Sequence, residues 1–336
     1  MQRLGKWMPW WLGLCLSVGC GGAASPEPEP VEEAGQAVST CTGPTGAHCR
    51  LVTPVETGLP GSGSYPDPHV VMRPNAPTKP ELIVFLPGTG GAPDNLLSGP
   101  YLSDADHTLY ASATSKGYRI ISLGYQNEPT IGSLCSGDDA CFLPTRRTII
   151  TGEVQPGSAV TSIVKGDAIL PRLIRLLMHL RDTVDPGSPG NWGSYFINPL
   201  CTTTCVLNPS KLIFSGHSQG GGHAAVIGKD YAVRRVVMLA SPGDSPGNDV
   251  PASYTLPPLS TPPGHDTYRG LIVRGRTGLT YTHDITDPVA QRHWAPERLN
   301  AQWLRVTSAT GMCPSNPHAC VVKDSQMFSQ WQALWP

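Results

Sequence analysis

The sequence predicts an α/β fold with a mostly parallel central sheet, on two observations. Apolar, β-branched runs of strand length recur with turn signals on both sides, and most are continuous rather than alternating, as strands buried on both faces require. Helical patterns lie between several of them, and strands that alternate with helices pair in parallel. The strands are His69 to Met72, Leu82 to Leu86, Arg119 to Leu123, Leu212 to Phe214, Val236 to Leu239, Leu271 to Val273 and Leu304 to Thr307. Leu170, Leu173, Ile174, Leu177, Leu180 and Val184 follow the i, i+3, i+4, i+7 rule of a helix, and Pro171 suits its start. Gly220 to Lys229 and Pro288 to Trp303 are further helices, the second offering Trp294 and Trp303 for packing. Two long stretches, Tyr125 to Ser158 and the Pro-dense Ser241 to Tyr268, show little regular pattern. Insertions of that length are functional loops or decoration.

Composition narrows the function. Of 336 residues, 39% are hydrophobic and 15% charged, with 24 basic against 25 acidic side chains and a formal net charge of -1. Without a Lys/Arg run there is no clustered positive charge to displace phosphate counterions, so a nucleic-acid partner is not expected. Gly (37) and Pro (35) sit between apolar runs, which reads as globular and loop-rich. Removing the first forty residues leaves enough chain for one large core, so 41–336 is expected to be a single domain.

The N-terminus reads as an address. Arg3 and Lys6 precede an apolar stretch from Trp7 to Val18, which has signal-peptide length and is too short to span a bilayer. Residues 1–20 are therefore expected to be a signal peptide. Residues 21–40 form a Pro/Glu-rich tether that cannot bury enough apolar surface to fold. The run Ser17-Val18-Gly19-Cys20 resembles a bacterial lipoprotein signal with Cys20 as the lipidated residue, and a plain secretory signal cleaved at Gly19 or Ala24 is the competing reading. With lipid, Gly21 after Cys20 points by analogy to an outer-membrane lipoprotein; without it, the protein is periplasmic or secreted. Any membrane contact would be through that anchor alone.

The cysteines point to export independently. Setting aside Cys15 and Cys20, eight remain in near-neighbour pairs: Cys41 with Cys49, Cys135 with Cys141, Cys201 with Cys205, and Cys313 with Cys320. That suggests four local disulfides. No pair has C-x2-C spacing and only His48 and His318 lie beside a cysteine, so no metal is expected.

One motif carries chemistry. Gly216-His217-Ser218-Gln219-Gly220 is a G-x-S-x-G pentapeptide, and so is Gly243-Asp244-Ser245-Pro246-Gly247. The motif needs a sharp strand-to-helix turn that exposes the serine, and a backbone N–H on the next residue to meet an oxyanion. Pro246 has no N–H, and Pro251, Pro257 and Pro258 interrupt any helix after Ser245. Ser218 meets both requirements: Leu212-Ile213-Phe214 is the strand, Gln219 keeps its N–H, and the following glycines and alanines let a helix pack closely. Upstream, Leu82 to Leu86 runs into Pro87-Gly88-Thr89-Gly90-Gly91. With no Lys-Ser/Thr and no G-x-G-x-x-G spacing it is not a nucleotide loop. It suits a second oxyanion donor, Thr89 N–H first and Gly90 next.

Strand-LPGTGG, strand-GHSQGG-helix and VVMLASPGD, in that order, resemble the α/β-hydrolase superfamily, and more closely a group of secreted bacterial hydrolases with LPGTGG and GHSQGGGHAA motifs. The resemblance covers Pro68 to the C-terminus and implies a Ser-acid-His triad in that chain order. The segment from His283 to Val289 is similar to the family's H-G-x-x-D-x-V loop, which maps the acid onto Asp287; Asp284 stands where glycine is usual. Asp244, just after the Val236 to Leu239 strand, is an alternative acid. His318 lies beyond the last strand, between Cys313 and Cys320, in a loop that a disulfide would hold. His293 competes only if the last strand is misplaced, while His217 and His223 are too local to Ser218 for that order.

The expected activity is that of a serine hydrolase acting on a carboxylic ester, small or polymeric, without cofactor. A peptidase or acyltransferase of the same fold, and a non-catalytic binding lipoprotein that keeps the scaffold, are the alternatives.

Overall fold

The computed structural model describes residues 39–58, 65–97, 104–186, 192–260, 267–277, 280–282, 287–307 and 316–336. All fall in one compact unit, Ala37–Pro336. Cys15, Cys20, tether residues 21–38, Asp284 and Cys313 lie outside the described residues, while Ser39 and Thr40, expected to belong to the tether, form a strand.

The chain opens with strands β1 (Ser39–Thr40), β2 (Ala47–Val52), β3 (His69–Pro74) and β4 (Leu82–Leu86), then helix α1 (Leu109–Thr114) and strand β5 (Arg119–Ser122). Helices α2 (Ile131–Cys135), α3 (Asp139–Thr151) and α4 (Ile169–His179) precede β6 (Leu212–His217), α5 (Gln219–Asp230) and β7 (Arg235–Leu239). The C-terminal part holds β8 (Tyr268–Thr277), β9 (Thr280–Thr282), α6 (Asp287–His293), β10 (Gln302–Thr307), α7 (Pro317–Lys323) and α8 (Phe328–Leu334).

The sheet runs β1-β2-β3-β5-β4-β6-β7-β8-β10, parallel from β5 to β10 and antiparallel at β1, β2 and β3, with β9 paired antiparallel to β8. This is an α/β-hydrolase fold. Successive residues of each central strand feed two cores: Leu82, Val84, Leu212, Phe214, Val236 and Met238 pack on one face, and Ile83, Phe85, Ile213, Val237 and Leu239 on the other. Both faces are covered, which explains why these strands read as unbroken apolar runs. From β4 the chain moves to β5 on one side, then crosses to β6 on the other. The crevice beyond the ends of β4 and β6 is therefore a topological switch point, where ligands bind in open α/β sheets.

Three expectations need correction. The stretch Tyr125 to Ser158 is not irregular, because it holds α2 and α3. The Asp138 carboxylate caps α3 by accepting from Ala140 N–H at 3.0 Å, and the Cys135–Cys141 disulfide joins the two helices. Gly137 and the interior Pro144 disguised them as a loop. The helix expected from Pro288 to Trp303 ends at His293; Pro296 cannot continue the ladder, Asn300 is left-handed (φ 47°), and Trp303 belongs to β10. Trp294 and Trp303 still pack, with ring centroids 6.1 Å apart. His318 lies on helix α7 rather than in a loop. Beyond the expected strands the sheet gains β1 and β2, bridged by Cys41–Cys49, and β9. Cys201–Cys205 is also bonded, and Cys320 is disulfide-bonded.

The last helix is fastened from below the sheet. Lys116 Nζ donates to the carbonyls of Gln332 and Trp335, Arg269 to Ala333 and Arg235 to Leu334. Cations at a helix C-terminus satisfy its orphan carbonyls and oppose its dipole. Trp331, Leu334 and Trp335 close the core beneath. Among the described residues no helix is long and apolar enough to cross a membrane.

Candidate active site

Ser218 occupies the single-residue turn between β6 and α5, at φ 52° and ψ -119°. A non-glycine residue there stores strain on the order of 1–3 kcal/mol, held by its surroundings. The surroundings are glycines packed against backbone: a Cβ on Gly216 would lie 2.3 Å from the Gly220 carbonyl carbon, and one on Gly220 only 2.0 Å from Leu86 O. Ser218 N–H donates to Leu239 O at 3.0 Å, tying the turn to β7.

The glycine turn after β4 is bound to the serine turn by side chains. Tyr125 OH donates to Pro87 O (2.7 Å), and Asn127 Nδ2 to Gly88 O (3.0 Å) and Gly91 O (2.9 Å). Thr89 Oγ1 donates to Gln219 Oε1 (2.9 Å), which also accepts from Ile131 N–H (3.1 Å), while Gln219 Nε2 donates to Asn127 O (3.0 Å). Gly90 is left-handed (φ 63°), and a Cβ there would meet Glu128 Oε1 at 2.7 Å. Because Gln219 opens α5, its backbone N–H has no carbonyl one turn back.

His318, the second residue of α7, shares a cavity of about 420 Å³ with Ser218 and Thr89. Its backbone is held on several sides. Asn316 caps the helix, accepting from Ala319 N–H at 3.0 Å, and His217 Nε2–H donates to the His318 carbonyl at 2.8 Å. The two imidazole centroids are 4.7 Å apart. His217 thus supports His318, a role its place beside the serine did not announce.

The acids separate. Asp287 is the first residue of α6, following the β8–β9 hairpin. Its side chain lies outside the described atoms. Asp244 lines a smaller cavity of about 170 Å³ with Ser218, Thr89 and Gln219. Its carboxylate accepts from Arg146 Nε (2.6 Å) and Nη2 (2.7 Å), with both side chains buried. Burial pushes this carboxyl up, but the charge and hydrogen bonds of Arg146 outweigh it and leave it below its ordinary value. Arg146 Nη1 donates to Gln219 O at 2.9 Å, and a Cβ on Gly222 would strike its guanidinium. Asp244 is therefore engaged in holding the first turn of α5.

Two further histidines near the serine turn are buried. His293 is buried, its Nε2–H donating to Asp244 O (2.9 Å) and its Nδ1 accepting from Thr255 Oγ1 (3.0 Å); burial pushes its pKa down to about 4. His223 is buried edge-on to Tyr125. After Ser245 the chain forms no helix before the 3-10 turn at Ser253–Thr255.

Sequence reasoning missed Asn127, Tyr125 and Arg146. Arg146 alone left a trace: it recurs on the apolar face of α3 with Phe142, Ile149 and Ile150, and a cation on a buried helix face demands a buried anion.

No family model matches the chain, and no curated protein matches it. Among solved structures it is similar to an S-formylglutathione hydrolase from Agrobacterium tumefaciens (10% identity, TM-score 0.42, covering 88% of this chain and 97% of that one). A serine hydrolase homologue from Coxiella burnetii (11%, 0.41, 90% and 98%) and a Bacillus cereus carboxylesterase (14%, 0.38, 83% and 99%) overlap it comparably.

Proposed function

We propose that the protein is a serine hydrolase that cleaves a carboxylic ester through an acyl-enzyme. Its main support is Ser218, held at positive φ between β6 and α5 in a cavity shared with His318 and Thr89. In this mechanism His318 takes the Ser218 hydroxyl proton as Oγ attacks the ester carbonyl carbon. The backbone N–H groups of Thr89 and Gln219 receive the oxyanion, while Asp287 orients and stabilises the imidazolium. The tetrahedral intermediate collapses with proton transfer from His318 to the departing alcohol oxygen. Water, deprotonated by His318, then attacks the acyl-enzyme, releasing a carboxylic acid and restoring Ser218. The similarity to proteins described as a carboxylesterase and a serine hydrolase accords with this chemistry.

We also propose that the chain is exported, with Cys20 as its lipid anchor; disulfides such as Cys135–Cys141 and Cys201–Cys205 persist in oxidising compartments, which supports export. The test of the chemistry is intact-protein mass after treatment with a fluorophosphonate, on wild type and on Ser218→Ala. One adduct on wild type and none on the variant is expected. A folded wild type that takes no label overturns the assignment.

A further inference from the structure

Ser218 stands between two cavities whose described linings share only Thr89, Thr130 and Ser218. The larger, about 420 Å³, has apolar walls from Phe85, Leu96 and Val322, with Asn95, Lys323 and His318 as polar groups. The smaller, about 170 Å³, has Ile131 and Gly132 on one side and the buried Arg146–Asp244 pair on another; His318 is not part of it.

Proton balance decides which half of an ester enters each. The proton that His318 removes from Ser218 Oγ must reach the ester's bridging oxygen as the bond from the carbonyl carbon to that oxygen breaks. The bridging oxygen, and the alcohol attached to it, must therefore lie on the side of His318. That leaves the acyl group for the smaller cavity. At about 170 Å³ against about 420 Å³, the smaller space suits the smaller of an ester's two groups. A long alkyl chain would also have to bury itself against a guanidinium and a carboxylate, which is unfavourable.

We infer that the substrates are esters of short acyl groups with bulky alcohols that carry an apolar face toward Phe85, Leu96 and Val322. The inference rests on the ester-hydrolase reading and goes beyond it by fixing the orientation.

The test uses a pair of reversed esters of one formula, 2-(2-naphthyl)ethyl acetate and ethyl 2-naphthylacetate, with fluorophosphonate labelling of Ser218 run alongside. The acetate is expected to be favoured by about a hundredfold in kcat/KM, since each misplaced group in a fitted pocket changes rates by factors of that order. Equal rates, or preference for the naphthylacetate, overturn the orientation while labelled Ser218 leaves the hydrolase reading standing. Absence of both labelling and turnover overturns the two together. In Ile131→Ala, the 4-nitrophenyl octanoate to acetate ratio is expected to rise about tenfold as the smaller cavity opens. An unchanged ratio in a folded variant also counts against the acyl assignment.

Discussion

Arg146 grips Asp244 through two hydrogen bonds, 2.6 and 2.7 Å, and places a third on the carbonyl of Gln219 at 2.9 Å. The carboxylate behind the serine is thus neutralised by a cation that also fixes the residue proposed to bind the oxyanion. Removing one partner leaves the other charge buried alone. Asp244→Ala is expected to lower stability by about 3–5 kcal/mol in urea unfolding, and Arg146→Met combined with Asp244→Leu to recover much of it. Asp287→Asn is expected to behave in the opposite way, with kcat falling on the order of 10⁴-fold and the unfolding midpoint little changed. A stable but inactive Asp244→Ala would make Asp244 the acid instead.

The serine turn predicts its own intolerance of side chains. Gly220→Ala would drive a methyl into Leu86 O, a strand carbonyl with no room to retreat. Thermal unfolding should show a loss of about 3 kcal/mol or more, at the upper end for overpacked sites.

Asn127 is not among the described residues that line the cavity of Ser218 and His318, yet its amide holds both ends of the Gly88–Gly91 turn. Asn127→Ala should free Thr89 to drift, lowering kcat about ten- to a hundredfold with little change in KM, because small displacements of an aligned donor are felt mainly in the reacting state. Steady-state kinetics on one good ester would check this split.

Acid should weaken the fold well before carboxylates protonate. Burial pushes His69 down to about 3 and His293 to about 4, from an ordinary 6.5, and burial with the Arg146 charge drives His223 down as well. Between the folded and unfolded values the unfolded chain binds the extra protons. Stability is therefore full above about pH 6.5 and falls as pH drops toward 4, by roughly 1.4 kcal/mol per pH unit for each histidine. Urea midpoints across that range would measure the slope, which His293→Gln should reduce.

The sheet was legible because runs such as Leu82 to Leu86 and Val236 to Leu239 are buried on both faces and therefore apolar throughout. The serine turn was legible because Gly216 and Gly220 are demanded by close backbone packing and Gly221 by the Ser241 side chain. Helix α3 was hidden because a capping aspartate, an interior proline and a disulfide hold a segment whose local pattern resembles a loop. Asn127 and Tyr125 were hidden for another reason: hydrogen bonds to carbonyls around residues 87–91 depend on tertiary approach, and no spacing along the chain encodes them. His318 was singled out by its order after the last strand and lies in one cavity with Ser218, whereas its hydrogen bond with His217 depends on the approach of α7 to the end of β6, which no spacing encodes.

The fastening of α8 bears on how the molecule is made. Its last carbonyls are held by side chains from the α1–β5 connection, β7 and β8, and its two tryptophans seal the core those elements share. Until α8 docks, these three cations lack the helix carbonyls that they grip in the finished fold, and an apolar face stays uncovered. Completion of that half of the molecule waits on α8 and Trp335, so a chain lacking them would present an open, adhesive surface to chaperones and proteases.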